Sequence, residues 1–111
     1  VNTCFLFNQG DETMFARVTT TQFSPYRLDE AISIIRDHTV PAAQKQTGFK
    51  GYLLLVDRST GKGITITLWE EEEDRQITGP NSNYYREEIG KVVPLLTDAP
   101  SVEDLEIVIQ V

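Results

Sequence analysis

The chain is poor in the residues that build metal and redox chemistry. Its 111 residues include one cysteine, Cys4, one histidine, His38, one methionine and one tryptophan. A single cysteine excludes an internal disulfide, and a single histidine excludes a His-rich metal site, so no metal is expected. Positive charge is scarce as well: 10 lysines and arginines stand against 17 aspartates and glutamates, for a formal net charge of -7. That balance repels phosphate backbones and anionic lipid surfaces, so neither a nucleic acid nor a membrane is an expected partner. No apolar run approaches the roughly 20 residues of a membrane span. The stretch CFLF, Cys4 to Phe7, is too short for a signal peptide and lacks its basic flank. A cytoplasmic location is the expectation. Serine and cysteine never stand beside a plausible base, and GKG at residues 61–63 has none of the phosphate-loop pattern.

What is present is one domain's worth of alternating pattern. Met14 opens the first patterned segment, so residues 1–13 read as an N-terminal extension, with a leading strand the alternative, and 14–111 as a single domain. MFARVTTTQF, Met14 to Phe23, is β-branched and aromatic and predicts a strand, with Ala16, Val18 and Thr20 on one face and Phe15, Arg17, Thr19 and Thr21 on the other. Ser24-Pro25 reads as a helix start with a serine cap. Leu28, Ala31, Ile32 and Ile35 then make one apolar stripe, which Pro41 should end or kink near His38 to Val40.

Phe49 to Asp57 and Lys62 to Glu70 are two strand-length runs joined by a Gly-rich turn. In the second run Ile64, Ile66 and Leu68 point one way, and Thr65, Thr67 and Trp69 the other. Glu70 to Asp74 is an acidic run suited to a helix N-terminus. After the breaker cluster GPNSN, YYREEIGKVVPLL predicts another helix, with Pro94 disturbing its last turn. VEDLEIVIQV predicts a closing strand with Leu105, Ile107, Ile109 and Val111 on one face.

A hairpin between two strand–helix units is the split βαβ arrangement: an α+β, ferredoxin-like βαββαβ fold with a four-stranded antiparallel sheet. Both helices then cover one face of the sheet, and the chain has nothing left to cover the other. Phe15, Leu53, Leu55 and Val108 would stand exposed there, and such a face favours association. A homodimer, sheet against sheet, is the expected assembly.

These elements resemble the antibiotic-biosynthesis-monooxygenase-like family of the dimeric α/β-barrel superfamily. The resemblance rests on FARVTT, on RDHTVPAAQKQTGFKG, on LLLVDRSTGKGITITLWE and on YYREEIGKVVPLL, and it covers residues 14–111. It implies the fold, dimerisation and a pocket for a small hydrophobic or aromatic molecule. The activity it implies is cofactor-independent monooxygenation of an aromatic or quinol-type compound. A non-catalytic small-molecule-binding or stress-response module of the same fold is the alternative, and a chain that only assembles onto a partner is a third reading. Trp69 fits the tryptophan that ends the third strand in family enzymes. The first strand carries no asparagine and the second helix no histidine, which speaks against haem degradation.

Cofactor-free oxygenation needs a site that positions a ring, excludes water and stabilises an anion with hydrogen-bond donors. Trp69, Tyr84, Tyr85 and Arg17 are the candidates for those roles, and His38 is the candidate base. Each has a structural reading beside it. Trp69 can be a core anchor, Tyr85 lies on a helix stripe, and His38 suits a helix C-terminus.

Overall fold

The structure, a computed structural model, describes residues 14–111; the expected extension, with Cys4, lies outside the described residues. Four strands, β1 (Met14–Gln22), β2 (Phe49–Asp57), β3 (Lys62–Trp69) and β4 (Ser101–Ile107), form one antiparallel sheet in the order β2-β3-β1-β4. This is the split βαβ topology that the element order implies. The register of β1 on β3 pairs Phe15 with Trp69, Arg17 with Thr67, Thr19 with Thr65 and Thr21 with Gly63. Because side chains alternate across a strand, all of these share one face, together with Tyr52, Leu54 and Val56 of β2.

That face carries the helices. Pro25–Arg27 forms a 3₁₀ turn that leads into α1 (Leu28–Ile34); Ser24 holds the cap position without a side-chain hydrogen bond. Pro41 neither ends the helix nor leaves it regular. Residues Ile35–Thr39 widen into a π turn, in which the Val40 N–H reaches back to the Ile35 carbonyl, and α2 (Val40–Gln44) continues beyond it. Proline cannot donate to the ladder, and its ring crowds the carbonyl four residues back. The wider turn absorbs both effects. Leu28, Ala31 and Ile35 bury against Phe23, Val92 and Leu95, with Tyr52, Leu54 and Val56 packed beneath.

After β3 the acidic run leads into α3 (Glu72–Ile77), with Glu71 at the N-cap and Glu72, Glu73 and Asp74 in the first turn. The helix expected from Tyr84 to Leu96 is shorter than its apolar spacing suggests. It forms α4 (Asn83–Gly90), capped by the Ser82 hydroxyl, which accepts from the Tyr85 N–H at 3.0 Å. A 3₁₀ turn at Val93–Leu95 then brings Leu95 into the core.

On the opposite face Leu53 and Leu55 are 48% exposed and Leu105 49%. Phe15 does not join them: it lies on the helix face, 5.3 Å below the Arg75 guanidinium. The last strand ends at Ile107, so Val108, Ile109 and Val111 are exposed tail rather than a continued strand face.

Candidate functional site

Between the helix face of the sheet and α4 lies a cavity of ≈ 70 Å³, open to solvent on one side. Its floor is the alternating face of β1 and β3, with Arg17, Thr19 and Thr21 from one strand and Thr65 and Thr67 from the other. Tyr52 of β2 closes one wall, Tyr84, Tyr85, Glu88 and Ile89 of α4 another, and Ile35 and Thr39 of the π turn a third. Among the described residues, five threonines and three tyrosines thus set hydroxyls among apolar walls, with one cation, Arg17, and one carboxylate, Glu88.

Arg17 is 3% exposed. Its Nη2 donates to the Arg75 carbonyl and, at 3.0 Å, to the Thr78 hydroxyl. The guanidinium lies 5.6 Å from the centre of the Trp69 ring and 6.0 Å from that of Tyr85, so it packs between two π faces. One carboxylate, Asp104, approaches Nε at 3.8 Å, and Arg75 shares it at the same distance. Burial lowers the Arg17 pKa from its ordinary value, with Asp104 the largest opposing influence. An arginine stays charged in proteins even so.

The phenols respond in the opposite sense. Burial pushes Tyr52 up to about 12, only partly offset by its hydrogen bond with Thr65. Burial, with help from Tyr52 and Glu88, pushes Tyr84 up to about 12. Tyr85 is raised too, chiefly by burial, with Thr19 and Arg17 pulling the other way. All three are therefore hydrogen-bond donors near neutral pH. Glu88 is held by Lys91, whose Nζ donates to both carboxylate oxygens at 2.9 Å.

Solved structures of this shape come from several bacteria. A protein of unknown function from Nitrosomonas europaea superposes with a TM-score of 0.74 at 17% identity, covering 91% of this chain and 95% of that one. An antibiotic biosynthesis monooxygenase-like protein from Bordetella bronchiseptica gives 0.72 at 15% identity, covering 85% of this chain and 96% of its own. One from Caulobacter crescentus gives 0.67 at 18%, covering 91% and 95%. The chain has the antibiotic biosynthesis monooxygenase fold. At these identities the likeness carries the fold and no reaction.

No family model matches the sequence. An uncharacterized protein of Mycobacterium tuberculosis is 32% identical over 94 residues, 85% of this chain but 41% of that protein. Another from the same organism is 40% identical over 60 residues, 54% of this chain and 25% of the relative. The chain spans less than half the length of the curated relatives it matches.

Within this monooxygenase-type fold, the sequence-derived candidates separate into three groups. Arg17, Tyr84 and Tyr85 line the cavity. Trp69 does not. It is fully buried behind Arg17, its Nε1 donates to the Thr67 hydroxyl at 2.9 Å, and its ring meets Phe49 edge-on at 5.9 Å. The indole is a core anchor that braces both the guanidinium and a wall threonine. His38 is exposed and outside the cavity, in the π turn rather than at a helix end.

Sequence reasoning missed Tyr52 and Glu88. The signal for Tyr52 was its parity with Leu54 and Val56, opposite the Leu53 and Leu55 row. For Glu88, lying one helical step from Tyr84 and Tyr85 was the available clue. Among the described residues no cluster of three metal-ligating side chains occurs, and no helix is long and apolar enough to cross a membrane.

Proposed function

We propose that the cavity binds a small aromatic or quinol-type molecule and that the chain acts on it as a cofactor-independent monooxygenase. The observation that carries this reading is a buried guanidinium at the wall of an open, hydroxyl-rich cavity, in a fold shared with monooxygenase-like proteins. A quinol that has lost a proton gives up an electron to dioxygen far more readily than the neutral ring. A fixed cation in a poorly solvated wall favours that deprotonated form, because charge interactions strengthen where water is excluded. The phenols of Tyr52, Tyr84 and Tyr85, all protonated near neutral pH, add donors around the same space. Trp69 contributes from behind by holding Arg17 in place.

The test is aerobic incubation with a panel of quinols while oxygen uptake is followed. Uptake above background with at least one quinol, slowed by Trp69→Phe, is the expected result. No uptake with any member of the panel contradicts catalysis and leaves the binding-module reading. We also propose that the open sheet face, with Leu53, Leu55 and Leu105 about half exposed, takes a second copy of the chain.

A further inference from the structure

Buried polar atoms without partners are costly and therefore uncommon in folded proteins. Among the described residues four side-chain atoms are in this state: Arg17 Nε, Thr39 Oγ1, Arg75 Nε and the Tyr85 hydroxyl. Three of the four belong to residues that line the cavity. The two Nε atoms face the same Asp104 oxygen at 3.8 Å, too far for a hydrogen bond, and that carboxylate is 42% exposed. Arg17 Nη1 makes no hydrogen bond among the described residues, since its contacts all run through Nη2. The wall therefore holds a buried cation with a weak, shared counter-ion, an unpartnered Thr39 hydroxyl, and a Tyr85 hydroxyl with no well-formed hydrogen bond beyond the pull of nearby Thr19.

We infer that the cavity is a subsite for an anionic oxygen, and that its ligand is a single-ring aromatic carrying a carboxylate or phenolate bound by Arg17 with the hydroxyls of Tyr85 and Thr39. This deepens the small-molecule reading of the cavity and does not depend on oxygenation. Charge selects the anion: Arg17 would gain the close partner that Asp104 does not provide, and charge-assisted bonds are the stronger kind. Both hydroxyls line the same cavity as the guanidinium, and each can donate. Size selects one ring. A void of about 150 Å³ encloses benzene, so a ring entering this ≈ 70 Å³ space keeps its far edge at the open mouth. The apolar side chains of Ile35, Ile89 and Val92 flank the ring. Among the described residues Glu88 is the one carboxylate lining the cavity, and Lys91 neutralises it through both oxygens.

Benzoate and benzamide have the same shape and differ in charge, so they are the probes. Calorimetric titration of the full chain is expected to show benzoate binding at least about 10-fold more tightly than benzamide. Thr39→Val removes a hydroxyl that bonds to nothing among the described residues, and Tyr85→Phe removes one that faces the Thr19 hydroxyl. Each is expected to weaken benzoate binding by about 10-fold, one hydrogen bond's worth, while the melting temperature stays level or rises. That combination separates a ligand-binding role from a structural one, and it does not rely on an Arg17 variant that could fail to fold.

Equal or tighter binding of benzamide, or no binding of either probe, would overturn the inference. So would unchanged benzoate affinity in both hydroxyl variants, the result expected if water alone satisfies those groups. Quinol-dependent oxygen uptake without a preference for benzoate sinks this inference and spares the oxygenase proposal. Benzoate preference without uptake does the reverse.

Discussion

Trp69 illustrates how one side chain can support a site without lining it. Its indole is fully buried, its N–H is satisfied by Thr67, and its face carries the Arg17 guanidinium. Replacing it by phenylalanine leaves a void and strips Thr67 of its donor. Trp69→Phe is expected to cost about 1–3 kcal/mol, read as a lower denaturant midpoint. The tyrosines give a second expectation at this scale. Tyr52 and Tyr84 ionise near 12 in the fold against an ordinary value of 10.0. Their protonated forms are favoured by folding, so that share of stability is full below pH 10 and is lost as pH rises towards 12. Phenolate absorbance during an alkaline titration should show a late-ionising component that Tyr52→Phe and Tyr84→Phe each diminish.

Residue-level chemistry was partly legible in the sequence. Arg17 and the threonines declare a polar sheet face through strand alternation alone. The parity of Trp69 with Thr65 and Thr67 left its role open. Nothing in the sequence says that the ring stops behind Arg17, because that depends on how α4 crosses the sheet. His38 was drawn in by its intrinsic chemistry, whereas placement in an exposed turn is decided by the helix's continuation past it.

At the scale of elements, the hairpin between β2 and β3 is the most constrained connection. Asp57 accepts from the Ser59 N–H at 2.9 Å and from its hydroxyl at 2.7 Å, fixing the turn's start. Gly61 closes it at φ +83°, where a Cβ would run into the Phe23 carbonyl oxygen. Gly61→Ala is expected to destabilise the protein by about 2 kcal/mol or more, through both backbone strain and this clash. Thermal melts of the variant check it.

The first helix shows where local rules run out. The sequence located the disturbance at Pro41 correctly, but proline allows both termination and accommodation. Burial of Ile35 and Thr39 on one side of the turn and of Ala43 beyond it favours accommodation, and a π turn is the result. The second helical region errs the other way. Apolar spacing through Leu96 continues past Gly90, but Gly90 and Pro94 break the ladder, and Leu95 reaches the core from a 3₁₀ turn.

At the scale of the molecule, the sheet has, among the described residues, one face covered by helices and one left open. Topology was readable from element order, because a hairpin between two strand–helix units has few antiparallel solutions. The open face followed by subtraction. Its composition was only partly anticipated, since Phe15 belongs to the helix side and the tail beyond Ile107 leaves the sheet. The exposed leucines predict self-association. Sedimentation at micromolar concentration should show a species twice the 12.6 kDa of one chain, and Leu53→Asp with Leu55→Asp should shift it to monomer. A wild-type protein that sediments only as a monomer contradicts the proposed use of this face.

The proposed function stands or falls with the cavity between β1, β3 and α4 as a ligand site. Amide NMR spectra of the protein titrated with a simple quinol test it most directly. Saturable shifts are expected at Arg17, Thr19, Thr65, Tyr84 and Tyr85, with Leu53 and Leu55 unmoved. Shifts scattered over the open sheet face, or none at all, would contradict it.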